Sequence, residues 1–157
     1  MKKKKITELL IFIVSAELVG ALSALLTGDF MQNYYSLAKP PLSPPGFVFP
    51  LVWTILYALM GVSAFLIFAS DKPQSKRNAA LTIYGAQLFI NFLWSIIYFR
   101  FNSPIIALID IIILGLLLIM MIKSFYKIRH ISAFLNIPYL LWIIFATYLN
   151  FVTIILN

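Results

Sequence analysis

Cysteine is absent from this 157-residue chain, histidine occurs once, and Asp and Glu together number only five. Without cysteine there is no disulfide, no iron–sulfur ligation and no thiol nucleophile. The single histidine, His130, sits beside Lys127 and Arg129 with no second His or Cys to complete a metal site, which excludes structural zinc and an axially His-ligated haem. No metal and no resident cofactor are expected. Phosphate-cradling GxxxxGK[ST] and nucleophile-elbow patterns are also missing, so ordinary ATPase and hydrolase chemistry falls away. Internal repeats and low-complexity tracts do not occur.

What the chain has instead is apolar bulk. Its residues are 62% hydrophobic and only 11% charged, well outside the range of a soluble domain. Crossing about 30 Å of hydrocarbon takes roughly 20 helical residues. Segments of that length run over residues 6–26, 47–69, 79–99, 104–122 and 131–156. They are separated by Gly28 and Asp29, by the prolines at 40, 41, 44 and 45, by the polar stretch 71–78, by Asn102 to Pro104, and by the basic run 123–130. The expected fold is an all-α integral membrane protein, a five-transmembrane-helix bundle forming one domain over 1–157, with a loop at 28–46 as its longest connection.

Basic residues in short loops are retained on the cytoplasmic side of a membrane. Lys2 to Lys5, Lys72, Lys76, Arg77, Lys123, Lys127 and Arg129 fall at one face, and only Lys39 and Arg100 at the other. The expectation is an N-terminus inside, the proline-rich loop outside and a C-terminus outside. The net charge of +7 follows from this asymmetry, and no nucleic-acid partner is expected. The lysines before an apolar run imitate a signal peptide with Ala21 to Ala24 as a cleavage site. The run is long for a signal core and contains Glu17, so a retained first helix is expected.

The stretch KPPLSPPGFVFPLVWTILY, from Lys39 to Tyr57, joins a proline-stiffened loop directly to an aromatic helix face, as a lid would join the wall of a pocket. Wide rings and neutral polar groups recur at helical spacing on three segments: Trp53, Tyr57, Met60 and Ala64 on the second; Gln87, Asn91, Trp94 and Tyr98 on the third; Pro138, Trp142, Ala146 and Leu149 on the fifth, with Asn150 to one side. Rings give stacking area and amides hold a few polar ligand atoms, which suits a flat, mostly apolar ligand. The same residues would also serve simply as packing and interhelical hydrogen bonds. Ala16, Gly20, Ala21 and Ala24 on the first segment are expected to allow close helix approach rather than to touch ligand. Pro138 is expected to bend the fifth helix and release a carbonyl near Phe134. Two intramembrane acids, Glu17 and Asp110, are functional candidates because such groups are costly in lipid.

Three blocks together resemble the TspO/MBR family, the tryptophan-rich sensory proteins and translocator proteins, also called peripheral-type benzodiazepine receptors. They are KPPLSPPGFVFPLVWTILYALMG from Lys39, NFLWSIIYF from Asn91, and PYLLWIIFATYLN from Pro138. The resemblance implies a five-helix bundle, usually a homodimer, in a bacterial cell membrane, whose pocket binds porphyrins such as protoporphyrin IX, related tetrapyrroles and drug-like ligands. It implies ligand-binding positions at Trp53, Tyr57, Asn91, Trp142 and Ala146, and lid positions at Pro44, Pro45 and Phe47. It also implies an alternative, light-dependent porphyrin degradation, with Trp53 and Trp142 as its catalytic residues. Small-molecule transport, resting on Glu17 and Asp110, is a further alternative. The chain departs from the family's pattern in its first loop, where Tyr34, Tyr35 and Leu42 stand in a region often rich in tryptophan. After Tyr148 it has no Lys or Arg, so no sterol recognition is expected.

Overall fold

The computed structural model describes residues 2–29, 32 and 35–157. Part of the expected lid loop, including Tyr34, lies outside the described residues. Five helices are long and apolar enough to cross a membrane, and among the described residues there is no strand. Helix α1 spans Lys2–Thr27 and stops at Gly28, whose positive φ of 76° is open to glycine without strain. Helix α2 spans Val48–Phe68, launched from the proline loop by Val48 N–H bonding the Pro45 carbonyl at 3.0 Å.

Helix α3 spans Gln74–Ser95 and continues through a π-helical turn, Ile96–Arg100. It starts a turn earlier than the hydropathy suggests, because Pro73 supplies a pre-set φ and its carbonyl accepts from Lys76 and Arg77. The Arg77 guanidinium then closes the α2–α3 connection on the Phe68 and Ser70 carbonyls. Helix α4 spans Pro104–Ile128, with proline in its first turn, where the missing N–H is unneeded. It continues through the basic stretch read above as a loop. Met121 and Phe125 extend its buried stripe at helical spacing, and the Phe125 ring lies 6.5 Å from Tyr84 of α3.

The last span is divided. Helix α5, His130–Phe134, and helix α6, Ile137–Leu156, flank a turn at Leu135 and Asn136. Pro138 therefore sits in the first turn of a new helix and does not bend a continuous one. The break is held from inside: Asn136 Nδ2 donates to Ser63 Oγ at 2.6 Å and to the Ser132 carbonyl at 2.8 Å, and Ser63 Oγ donates to that same carbonyl at 2.8 Å. All three residues are fully buried.

Outward faces are apolar along the spans, as at Leu10, Val14, Leu18, Ile109, Leu116 and Ile144, so the bundle needs lipid around it. The connections fall at two ends. The lysine end carries Lys4, Lys72 and Lys127; the loop end carries Thr27, Arg100 and Asn157.

Packing between α1 and α2 changes along their length. A Cβ on Gly61 would stand 2.6 Å from the Ile13 Cα and 2.8 Å from the Phe12 carbonyl oxygen, so the two backbones touch there. Nearer the loop end, the Tyr57 ring lies against Gly20, where any Cβ would overlap it. One ring therefore separates the helices at that level. Beyond it they diverge.

Candidate functional site

The divergence of α1 and α2 leaves a cavity of about 310 Å³ in the loop-end half of the bundle, closed behind by α3. From α2 come Phe49, Pro50, Trp53, Thr54 and Tyr57; from α3 come Asn91, Trp94, Ser95 and Phe99. Residues spaced by three or four share one helix face, which is why Trp53 and Tyr57 reach it together, their rings 5.6 Å apart.

The π-helical turn shapes the α3 wall. A wider turn brings residues four and five apart close to one face. Trp94 consequently keeps both Tyr98, stacked at 5.2 Å, and Phe99, edge-on at 6.1 Å. A regular α-helix would carry Phe99 away from the cavity it lines.

Helix α1 contributes Glu17, Gly20, Ala21, Ser23, Ala24 and Thr27. The small residues thus do two things: Gly20 admits the Tyr57 ring, which holds the helices apart where close approach was expected, and with Ala21 and Ala24 it also forms cavity wall, which sequence reasoning assigned to packing alone. Spacing by three or four from Glu17 was the available signal. Hydroxyls fix this helix against α3, since Ser23 Oγ donates to the Phe92 carbonyl at 2.9 Å, meets Ser95 Oγ in a short hydrogen bond, and is joined by Thr27 Oγ1 on Ser95. Ala21 and Ala24 on α1, and Pro50 and Thr54 on α2, line the cavity while remaining exposed. The cavity therefore opens between these two helices toward lipid.

Below it lies a buried relay. Asn91 Nδ2 donates to the Tyr139 hydroxyl at 2.8 Å, that hydroxyl donates to Gln87 Oε1 at 3.0 Å, and Gln87 Nε2 faces Met60 Sδ at 3.7 Å. Each of these groups is satisfied inside a low-dielectric core, which fixes the amide of Asn91 at the cavity wall. Tyr139 escaped the sequence reading because the fifth segment was aligned on Trp142. The buried face of α6 is Tyr139, Ile143, Ala146, Leu149, Asn150 and Thr153, so Ala146 and Leu149 of the expected stripe lie on it and Pro138 and Trp142 do not.

The structure brings Trp53, Tyr57 and Asn91 together at the cavity. It does not bring Trp142 or Ala146 there. Trp142 packs edge-on against Phe49 at 6.0 Å and lines a separate apolar groove between α2 and α6 with Pro138 and Leu141. Ala146 is buried on the inner face of α6. Pro44, Pro45 and Phe47 do not line the cavity either, and Phe47 is 67% exposed. The proline loop docks on the end of α6: Asn157 exchanges two hydrogen bonds with the backbone of Ala38, at 3.0 and 3.1 Å, and the Tyr148 hydroxyl donates to the Pro41 carbonyl at 3.1 Å. Asp110, on α4, is buried with one carboxylate oxygen unpartnered, and it is not on the cavity wall.

The family model described as the TspO/MBR family matches residues 12–156. The chain belongs to the TspO/MBR family. Among its TspO/MBR relatives, the tryptophan-rich protein TspO of Archaeoglobus fulgidus is 34% identical over 153 residues, covering 97% of this chain and 98% of that one. The protein of the same name from Chlorobaculum tepidum is 34% identical over 124 residues, 79% of this chain and 78% of its own. The translocator protein of Bos taurus is 31% identical over 142 residues, 89% and 84% of the two chains. Membership in the TspO/MBR family and five apolar spans make this an integral membrane protein.

Proposed function

We propose that the cavity between α1, α2 and α3 binds a flat, mostly apolar ligand of the porphyrin class, making the protein a membrane receptor in tetrapyrrole handling or stress response. The observation that carries this reading is the wall itself: Phe49, Trp53, Tyr57, Trp94 and Phe99 surround one intramembrane space, with the Asn91 amide held at its edge. Rings offer stacking surface and a few fixed polar atoms orient the ligand. About 310 Å³ lies at the lower end for drug-sized ligands. A tetrapyrrole would therefore be partly enclosed, its edge passing out between Ala24 and Pro50. Drug-like molecules of smaller area would fit entirely.

Titration of the detergent-purified protein with protoporphyrin IX, followed by tryptophan quenching and the porphyrin absorbance shift, tests the reading. Saturable binding that Ala24→Leu weakens, in a variant with an unchanged melting temperature, supports it. Quenching that neither saturates nor responds to Ala24→Leu refutes it.

Light-driven degradation is a second reading favoured by one observation, that Trp53 lies on the cavity wall while Trp142 is reached from it through the Phe49 ring. It requires light- and oxygen-dependent loss of porphyrin absorbance beyond a protein-free control, reduced by Trp53→Phe. A homodimer, and an N-terminus on the cytoplasmic side, complete the proposal. Light scattering in detergent and protease access to sealed vesicles test these two.

A further inference from the structure

The cavity has an electrical polarity that its shape does not require. Among the described residues Glu17 is the one charged side chain on its wall, and no Lys, Arg or His lines it. Glu17 forms no hydrogen bond or ion pair among the described residues. It lies ten residues before Thr27, the end of α1, hence about 15 Å from the loop end at 1.5 Å per residue. That is near the middle of a hydrocarbon layer about 30 Å thick. An ionisable group at such depth is costly unless something pairs with it. At the rim the sign reverses. Arg100 donates to the Leu26 carbonyl at 2.9 Å, beside Thr27 of the cavity wall.

We propose that Glu17 selects and orients the ligand: the cavity takes a flat apolar molecule that presents an ammonium or N–H donor at its deep end, with any anionic group turned toward Arg100. This deepens the reading of the cavity as a ligand site and rests on it. A charge-assisted N–H to carboxylate hydrogen bond in a low-dielectric site is short and strong. A carboxylate placed at the same depth would be repelled by Glu17. A neutral hydroxyl would gain less than an ammonium. For a metal-free porphyrin, the same polarity turns the propionates to the rim, away from Glu17. For any ligand, it separates selection from shape, since the aromatic walls accept all flat molecules alike.

Three probes built on one ring system separate the terms: pyrenemethylamine, pyrenemethanol and pyrenecarboxylate, measured by tryptophan-to-pyrene energy transfer in neutral detergent at pH 7. Wild-type protein is expected to bind the amine about tenfold more tightly than the alcohol. Glu17→Gln, isosteric and uncharged, should remove that preference while leaving the alcohol within about twofold of its wild-type affinity. Arg100→Gln should weaken the carboxylate relative to the alcohol, a ratio from which any general loosening of α1 cancels. Equal binding of amine and alcohol, or equal loss of both in Glu17→Gln, overturns the assignment of Glu17 and leaves the cavity as a shape-selective site. Absence of saturable binding for all three probes overturns the cavity reading itself, and the inference with it.

Discussion

Tyr57 rests its ring against the bare Cα of Gly20, and no side chain of any size fits between them. That contact sets where α1 and α2 part, because the ring acts as a spacer one aromatic thickness wide at the floor of the cavity. Gly61 sets the other limit, where the helix backbones themselves touch.

Gly61→Ala is expected to be the more damaging glycine substitution, since its new methyl meets backbone atoms of Phe12 and Ile13 that cannot rotate away. Overpacking of this kind costs roughly 1–3 kcal/mol. Gly20→Ala meets a side chain instead, and Tyr57 can turn, at the expense of cavity volume. Thermal melts in detergent should therefore fall further for Gly61→Ala, while Gly20→Ala should show the larger loss of protoporphyrin affinity relative to its loss of stability.

Tyr139→Phe removes the hydroxyl that joins Asn91 to Gln87 and leaves two buried amides short of a partner. Unsatisfied buried groups cost about 1–3 kcal/mol each. The variant should melt earlier than wild type and bind ligand more weakly, because the Asn91 amide is no longer held at the wall. Replacing Asn91 by Ala in the same protein should produce much less than an additive further loss, since both changes break one network.

Ala146→Leu and Ala24→Leu separate core from cavity. Ala146 is 6% exposed on the inner face of α6, so a larger side chain there should lower the melting temperature, with an overpacking cost of about 1–3 kcal/mol. Ala24 faces the cavity opening, so Leu should leave the melt unchanged and reduce ligand affinity about tenfold by occupying stacking space. Parallel melts and porphyrin titrations of the two variants check this, and an affinity loss confined to Ala146→Leu would contradict it.

The loop between α1 and α2 is held to α6 by Asn157 and Tyr148. Exposed hydrogen bonds contribute about 0.5–1.5 kcal/mol each. Asn157→Ala with Tyr148→Phe should thus speed amide exchange over residues 36–46 while moving the global melting temperature only slightly. Unchanged exchange in that segment would mean that the loop is held without those contacts, as by the turn at Pro40 to Ser43, closed by the Ser43 hydroxyl and N–H on the Pro40 carbonyl.

Much of the architecture was legible because lipid imposes a simple length rule: apolar stretches had to become spans. Pro138 was read as a bend inside the last span, whereas it opens a new helix. The extents were less legible. Phe125 and Met121 carried α4 past the point where Lys123 suggested a loop, since a buried stripe can continue under a basic outer face. In the candidate site, Trp53, Tyr57 and Asn91 could be read from spacing because one face of α2 holds the first two and one face of α3 holds the third. The fifth segment misled because Trp142 is its largest ring, whereas the core chose Tyr139, whose hydroxyl can reach two amides. Phe99 could not be found by counting at 3.6 residues per turn, since a π turn places it.

The contact at Gly61 is also a fulcrum. From Ile13, where the backbones meet, to Ala24 at the cavity is eleven residues, a lever arm of about 16 Å along a rigid helix. A rotation of about one degree at that pivot moves Ala24 by about 0.3 Å. The width of the opening is therefore governed by the crossing angle of two helices as well as by the side chains that line it, and one glycine in the lysine-end half sets the gauge of a site in the other half.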